Sequence, residues 1–197
     1  MLWIVTSPER IHEEAKIIAD LLQAGASYIL LRKPSWQTAD YLAFLDNTDP
    51  QWLPRFIIRD QPAAGCHFPV GGLHLSASAR AGTDSRDLQR FALCSTGIHD
   101  TAAIGIMPPS FSVLLLSPVF DSISKTGYQG RFAKPLPDKH GKQVLALGGV
   151  NASNIHQLKA WHFDGAALLG AIWQQPDKAV TIFQRIQQRW NSNDQSS

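Results

Sequence analysis

The chain has 197 residues, a formal net charge of +2 and a hydrophobic fraction of 44%. These values fit one globular domain and exclude disorder for most of the chain. No apolar run approaches the roughly 18 to 20 residues of a membrane-spanning helix, and the first residues lack a signal-peptide pattern. We therefore expect a cytoplasmic protein without membrane contact, and the scattered basic residues predict no nucleic-acid partner.

Two cysteines, Cys66 and Cys94, are too few for a disulfide framework. Neither lies in a Cys/His pattern with the spacing of metal ligands. We expect both to be buried as small apolar side chains.

Short apolar runs alternate along the chain with segments of helical spacing, which is the pattern of parallel strands joined by crossover helices. Eight such runs read as strands. The predicted strands are residues 2–5, 28–31, 56–58, 73–75, 91–94, 113–116, 144–147 and 166–169.

The predicted helices follow from capping residues and from apolar spacing. The first helix begins in the cap-like segment 7–10 and ends at Gly25, and the second is capped by Ser35. The last helix keeps its apolar residues on one face, and the chain after Trp190 is polar. These apolar positions are Ile11, Ala15, Ile18 and Leu22 in the first helix, and Ala179, Ile182, Phe183 and Ile186 in the last.

Eight strands that alternate with helices in a chain of this length predict the α/β class and a compact, single (β/α)8 TIM barrel. The alternative is an open doubly wound sheet, which normally carries its glycine-rich phosphate turn after the first strand. Here Val5 is followed by Thr-Ser-Pro, whereas Gly148, Gly149 and Gly170 follow the seventh and eighth strands. Barrels commonly build a phosphate site there from backbone N–H groups and a helix N-terminus.

Two charged residues follow the second and third predicted strands, where barrel side chains face the active site. The planar guanidinium of Arg32 suits a phosphate or a carboxylate, although a salt bridge at the barrel rim is the alternative. The carboxylate of Asp60 suits a metal ion or a general base. A lone aspartate beside an arginine such as Arg59 is more often a turn or ion-pair residue.

The loop after the sixth strand carries two hydroxyls and an ammonium group within four residues, at Ser122, Ser124 and Lys125. Hydroxyl donors next to a lysine suit a phosphate, whereas a polar loop with incidental serines is the alternative. The stretch 122–142 holds too many Gly, Pro and Lys residues for a core element. We predict a functional loop there that closes over a substrate.

One of two histidines near the predicted strands is a candidate for chemistry. His99 follows the fifth strand by a few residues, and an imidazole can transfer protons at neutral pH. A structural role is the alternative for any one of the seven histidines. His74 lies inside a strand, and we expect it to be structural.

Seven segments form a series that spans nearly the whole chain. The most specific are the Pro-Val-Phe loop that ends in Ser-Lys and the Leu-Gly-Gly-Val turn. In order, the segments are residues 2–6, 30–32, 72–75, 97–99, 117–125, 146–150 and 164–169. This series resembles the thiamine phosphate synthase/TenI family. The resemblance implies a (β/α)8 barrel over residues 1–190, followed by a polar tail at 191–197.

The family contains two activities. A thiamine phosphate synthase joins hydroxymethylpyrimidine diphosphate to hydroxyethylthiazole phosphate with Mg²⁺, whereas a TenI-type tautomerase aromatises a thiazole carboxylate phosphate without a metal. Both bind a thiazole phosphate, so the resemblance implies a small-molecule substrate, and a homo-oligomer is a further expectation. The resemblance places the phosphate on backbone N–H groups of the Gly148-Gly149 turn and the Leu169-Gly170 turn. Ser122 and Ser124 stand where the synthase has threonines.

Several residues of the synthase pattern are replaced. Leu30 stands at the glutamine that holds the pyrimidine, and Pro34 stands at a lysine, with Lys33 beside it as a partial substitute. Arg59 stands at an asparagine, where its charge opposes a bound cation. Ala79 falls near the second metal-binding aspartate and Gly97 falls at a serine. Asp60 is the one Mg²⁺ carboxylate that remains, and a diphosphate-bound Mg²⁺ usually needs one or two.

The TenI pattern survives better, because His99 aligns with its catalytic histidine. We therefore expect a thiazole tautomerase without a cofactor, in which His99 moves the proton, Arg32 holds the substrate carboxylate and Lys125 adds positive charge. The first alternative is a thiamine phosphate synthase with Mg²⁺ at Asp60. The second is a non-catalytic protein that binds thiazole phosphate.

Overall fold

The eight strands form one closed parallel barrel. A computed structural model of the chain describes residues 1–121 and 130–192. Within them, neighbours in the sequence are neighbours in the sheet, and the first strand pairs with the eighth. The predicted (β/α)8 barrel is confirmed, and the open doubly wound alternative is wrong. The strands are β1 (Leu2–Val5), β2 (Tyr28–Leu31), β3 (Phe56–Arg59), β4 (Gly72–Leu75), β5 (Cys94–Ile98), β6 (Val113–Leu116), β7 (Gln143–Leu147) and β8 (Gly165–Leu168).

Helices connect the strands on the outside of the barrel, and most of them are short. In the described part of the chain, none is long and apolar enough to cross a membrane. The helices are α1 (Glu14–Gln23), α2 (Thr38–Asp46), α3 (Pro62–Gly65), α4 (Ala77–Ala81), α5 (Ser85–Leu88), α6 (Ala103–Ile106), α7 (Gln157–Ala160), α8 (Gly170–Trp173) and α9 (Ala179–Asn191), with 3-10 turns at Pro50–Arg55 and Pro176–Lys178.

Apolar side chains form two layers, because successive residues of a strand point to opposite faces. In β1, Trp3 packs in the layer inside the barrel, whereas Ile4 packs in the layer between strands and helices. The inner layer consists of Trp3, Val5, Leu30, Ile57, Val113, Leu115, Leu145 and Ala167. Two residues beyond Leu30 and Ile57, the same alternation reaches Arg32 and Arg59 at the carboxyl ends of β2 and β3.

The fifth strand differs from its prediction at residues 91–94, since β5 spans Cys94–Ile98. The apolar run around Phe91 precedes the strand, while the strand itself contains the polar residues Ser95 and Thr96. Both are fully buried and hydrogen-bonded: Ser95 Oγ lies 2.9 Å from His74 Nδ1, and Thr96 Oγ1 donates to the carbonyl of Leu75 at 2.6 Å. Tertiary hydrogen bonds therefore allow a strand that the apolar pattern hides.

Other local predictions also need correction. Helix α1 begins at Glu14 rather than near residues 7–10, because the Ser7 hydroxyl accepts from the Glu9 N–H in a turn. Helix α2 begins at Thr38 with Gln37 as its cap, not Ser35. Cys94 is buried as expected, but Cys66 is exposed at the end of the short helix α3.

A buried ion pair ties the loop after β2 to helix α1. Lys33 Nζ donates to the Glu14 carboxylate and to the Glu9 carbonyl, and both charged side chains are at least nine-tenths buried. Burial raises the pKa of Glu14, although Lys33 opposes that shift. Lys33 is therefore engaged in the fold and does not substitute for the lysine that Pro34 replaces.

Removing one partner of this pair should destabilise the protein. We expect Glu14→Ala to lower the free energy of unfolding by about 3–5 kcal/mol, because it leaves a buried ammonium without its counter-charge. The double change Glu14→Leu/Lys33→Met should cost much less, since it removes both charges. Urea unfolding measures all three proteins.

The control for this cycle is Arg86→Ala, which breaks an exposed ion pair with Asp84. It should leave the unfolding midpoint unchanged. A double variant as unstable as Glu14→Ala would contradict the role assigned to the buried pair.

Candidate functional site

The carboxyl ends of the strands surround a cavity of about 550 Å³, called the central cavity below. Five of the predicted site residues line it. They are Arg32, Gly148, Gly149, Leu169 and Gly170, which come from the ends of β2, β7 and β8. The structure therefore brings the predicted glycine turns and the predicted guanidinium to one place.

The turn after β7 requires glycine. Gly148 and Gly149 have φ angles of 98° and 68°, in the left-handed region that side chains disfavour. A Cβ atom on Gly149 would lie 2.2 Å from the Asp121 carbonyl oxygen. Asn154 and Asn151 donate their side-chain N–H groups to the Gly149 carbonyl at 2.9 and 3.2 Å. In residues 1–121 and 130–192, no acceptor bonds the Gly149 N–H, so this donor is available to an anion.

Two residues missed by the sequence analysis shape the central cavity. Trp173 lines it and donates its indole N–H to the Val5 carbonyl at 2.7 Å. The Thr6 hydroxyl accepts from the Arg32 N–H at 2.8 Å and donates to the Arg32 carbonyl at 3.0 Å. Thr6 thereby fixes the backbone that carries Arg32. The sequence signal that could have identified Thr6 is its position directly after β1.

A second cavity of about 280 Å³ adjoins the first, and we call it the Arg32–Arg59 cavity. Arg32 lines both cavities. Burial lowers the pKa of Arg32, and the nearby Arg59 guanidinium lowers it further. The lining residues are Arg32, Lys33, Pro34, Trp36, Tyr41, Arg59, Asp60 and Gln61.

Asp60 lies in this second cavity, and its carboxylate is already engaged. One oxygen accepts from the Ser76 N–H at 2.7 Å, and the other lies 3.2 Å from Arg59 Nε. Ala79, at the expected place of a second metal aspartate, offers no ligand. Among the described residues no group of three His, Cys, Asp or Glu side chains is placed to hold a metal ion. These residues do not fit a Mg²⁺ ion, which prefers free carboxylate oxygens.

His99 lies at the end of β5 and is exposed. Its Nδ1 atom is 2.9 Å from the Ser117 carbonyl oxygen and 3.2 Å from the Ser117 hydroxyl oxygen, so Ser117 orients the imidazole through this nitrogen. Ser117 lines the central cavity, whereas His99 itself is not among the lining residues. The structure thus places His99 in contact with a residue of the cavity wall, although His99 itself does not line the cavity.

Three predicted site residues, Ser122, Ser124 and Lys125, lie outside the described residues. Of the predicted functional loop at 122–142, residues 130–142 are described. Phe132 and Leu136 are buried there, and Lys142 Nζ donates to two backbone carbonyls at 3.0 Å. This part of the loop is packed against the barrel, so the lid hypothesis remains a prediction for residues 122–129.

A larger groove of about 790 Å³ runs outside the barrel, between the loop after β7 and helix α9. None of the predicted site residues lines it. We therefore assign the candidate site to the strand-end cavities, where those residues converge.

His74 lies in the interior of β4, in register with Arg59 of β3. It is buried, and its Nδ1 is 2.9 Å from Ser95 Oγ. Burial, reinforced by the positive charge of Arg59, lowers the pKa of His74 to about 3. His74 is therefore neutral at physiological pH and adds no charge near the Arg32–Arg59 cavity.

The lowered pKa predicts a specific pH dependence of stability. The unfolded state takes up a proton at His74 below about pH 6.5, whereas the folded state does so only near pH 3. Above about pH 6.5, His74 is neutral in both states and does not lower the free energy of unfolding. As the pH falls below this value, the free energy of unfolding decreases, because the unfolded state binds the proton first. Between pH 7 and pH 5 we expect this difference to account for about 2 kcal/mol of lost stability.

Urea unfolding at the two pH values measures this term. His74→Gln should reduce the pH-dependent loss by that amount, while His156→Gln, at an exposed histidine, should not. Equal pH dependence in the wild type and the His74 variant would show that His74 is protonated in the folded state.

The fold and site define the class as a (β/α)8 barrel whose strand-end cavity combines glycine turns with a guanidinium. A sequence model of the TMP-TENI family, described as thiamine monophosphate synthase, matches residues 2–172. The chain therefore belongs to this family and is a thiamine-biosynthesis barrel enzyme, as the sequence resemblance indicated.

Individual relatives agree with this assignment. The chain is 26% identical over 184 residues to a thiamine-phosphate synthase of Albidiferax ferrireducens, covering 84% of this chain and 80% of the relative. The thiamine phosphate pyrophosphorylase of Bacteroides thetaiotaomicron has a similar structure, with a TM-score of 0.74, 21% identity and coverage of 95% and 96%. The Pyrococcus furiosus pyrophosphorylase gives 0.73, 15%, and 96% and 94%. These structural similarities support the barrel fold.

Proposed function

We propose that this enzyme binds a thiazole phosphate in the central cavity, with the phosphate on the N–H groups of the Gly148-Gly149 and Leu169-Gly170 turns. The observation that carries the proposal is the convergence of both turns on one cavity with Arg32. A phosphate there accepts hydrogen bonds from backbone donors that form no others among the described residues, and its charge is complementary to the guanidinium. Ser122, Ser124 and Lys125 belong to the proposed site by resemblance.

For the reaction, the comparisons favour a thiamine phosphate synthase over the tautomerase that the sequence motifs predicted. The matched family is described by the synthase activity, and the curated relative bears the same name. We therefore place synthase coupling first. In this reaction the thiazole nitrogen forms a bond to the pyrimidine methylene carbon, and the bond from that carbon to the diphosphate oxygen breaks. The released diphosphate carries the negative charge away.

Different residues of this chain would bind the two substrates of that reaction. The glycine turns would hold the thiazole phosphate, and Arg32, which lines both cavities, would lie between this phosphate and the diphosphate. Synthases of this family use Mg²⁺ to neutralise the diphosphate, and the engaged carboxylate of Asp60 fits that ion poorly.

The second candidate is a TenI-type tautomerase, and the orientation of His99 favours it. In the tautomer that donates Nδ1–H to the Ser117 carbonyl, Nε2 would remove a proton from one position of the thiazole and deliver it to another, and no described residue bonds Nε2. Arg32 would then hold the carboxylate of the substrate. No metal ion is needed for this proton transfer.

A coupling assay decides between these candidates. The purified protein is incubated with hydroxymethylpyrimidine diphosphate and hydroxyethylthiazole phosphate, with Mg²⁺ or with EDTA, and thiamine phosphate is measured by chromatography beside a known active synthase. We expect thiamine phosphate at a catalytic rate. No product in either condition, while the control synthase is active, would contradict the synthase proposal.

The same protein is then tested for conversion of thiazole carboxylate phosphate. If this is the reaction, His99→Asn should slow it by roughly 10²- to 10⁴-fold, while thiazole phosphate binding changes only a few-fold. His156→Gln is the matched control at an exposed histidine. Binding of thiazole phosphate without either turnover would identify a non-catalytic binding protein.

The phosphate grip has its own test. Gly149→Ala forces a side chain into a left-handed backbone and toward the Asp121 carbonyl, so the turn must shift. We expect thiazole phosphate binding, measured by calorimetry, to weaken at least about tenfold. Gly82→Ala is the control, because its Cβ would meet only one atom, at 3.9 Å. Unchanged affinity of the Gly149 variant would remove this turn from the site.

A further inference from the structure

The Arg32–Arg59 cavity carries a positive charge that the described residues do not balance. Of its charged lining residues, Lys33 is neutralised by the buried Glu14, and Arg59 is paired with Asp60. Arg32 has no ion-pair partner within residues 1–121 and 130–192. Its side chain is half-buried beside a second guanidinium, an arrangement that an anion would relieve.

Both carboxylate oxygens of Asp60 already make contacts within the protein, one of them with Arg59. Its backbone has a left-handed φ of 53°, and the Ser76 N–H fixes one carboxylate oxygen. The other oxygen faces Arg59 Nε. This single contact occupies Nε, and among the described residues the terminal nitrogens of Arg59 have no partner. Asp60 is thus a positioning residue for a guanidinium that still has donors to offer.

The two guanidiniums come to the same rim for a simple reason. Arg32 and Arg59 continue the inward-facing rows of Leu30 and Ile57 on adjacent strands, in a register that pairs Leu30 with Ile57. The neutral His74, in register with Arg59 on β4, adds no further charge beside the two guanidiniums. Their planar N–H groups suit the oxygens of a carboxylate or a diphosphate, each of which accepts two parallel hydrogen bonds.

We propose that the Arg32–Arg59 cavity binds a second anionic group of the substrates without a divalent metal ion, and that Arg59 is the residue that makes this possible. The shared chemistry is an oxyanion, from either a diphosphate or a carboxylate. This inference deepens the proposed function, which supplies the identity of the substrate. Arg59 takes the place of a cation that the neighbouring Asp60 is not free to hold.

Calorimetric titration of the full chain with inorganic pyrophosphate tests the proposal, once in EDTA and once with Mg²⁺. We expect binding in EDTA at least as tight as with Mg²⁺. Arg59→Gln should weaken it roughly 10- to 100-fold, since it removes charge-assisted hydrogen bonds. Arg59→Lys should also weaken binding, because the planar guanidinium is lost, but by less, because the positive charge remains. Arg86→Gln, which removes an exposed arginine, should have no effect.

Binding that requires Mg²⁺, or an Arg59→Gln variant with wild-type affinity, would overturn the proposal. Thermal unfolding of both Arg59 variants establishes that they are folded. If both substitutions lower the pyrophosphate affinity, the effect does not come from a defect of one variant. A second arm titrates a thiazole carboxylate that lacks the phosphate. Stronger Arg59-dependent binding of pyrophosphate identifies the anion as a diphosphate, and stronger binding of the thiazole carboxylate identifies it as a carboxylate.

The two proposals fail separately. Titration with hydroxyethylthiazole phosphate reports on the central cavity, whereas the Arg59 dependence of pyrophosphate binding reports on the adjoining one. Loss of the first with retention of the second would overturn the proposed function and leave a metal-independent anion site. The converse result would overturn only the inference about Arg59.

Discussion

The pairing of β1 with β8 closes the sheet, and this closure determines where the chemistry lies. Because all eight strands are parallel, their carboxyl ends meet on one face of the barrel. Residues separated by more than a hundred positions, such as Arg32 and Gly149, thereby line one cavity. The inner layer around Trp3 and Leu30 fills the barrel below this face, so a ligand is confined to the strand ends.

Charge is distributed unevenly around this face. The side formed by β7 and β8 presents glycine turns with backbone donors, while the side formed by β2 and β3 presents two guanidiniums and one engaged carboxylate. Burial keeps His74 neutral beside the arginines, so it does not add to their mutual repulsion. The arginine side is where this chain departs from the synthase pattern.

Much of the fold was predictable because apolar runs mark buried parallel strands well. Seven strands, including β1 and β6, lie within a residue or two of their predicted positions. The fifth was displaced because Ser95 and Thr96 are buried through hydrogen bonds to distant residues, which no local pattern reveals. Among the site residues, the glycine turns were predictable from their spacing after strands. The contacts of Thr6 and Trp173 were not, because each joins neighbouring barrel elements that are far apart in the chain.

Periodicity along the chain predicted the barrel, motif resemblance predicted the family, and the two together predicted a site at the strand ends. These signals are local properties of the chain and can be read without a structure. Which charges are free depends on contacts between distant residues, so it became visible in the folded protein. Lys33 looked available in the sequence, yet it is buried against Glu14. For Asp60 the sequence already offered an ion pair with Arg59, whereas its contact with the Ser76 N–H appears only in the fold. Ion pairs form between groups that are close in space, and the closed parallel barrel brings together strand ends that are far apart in the chain.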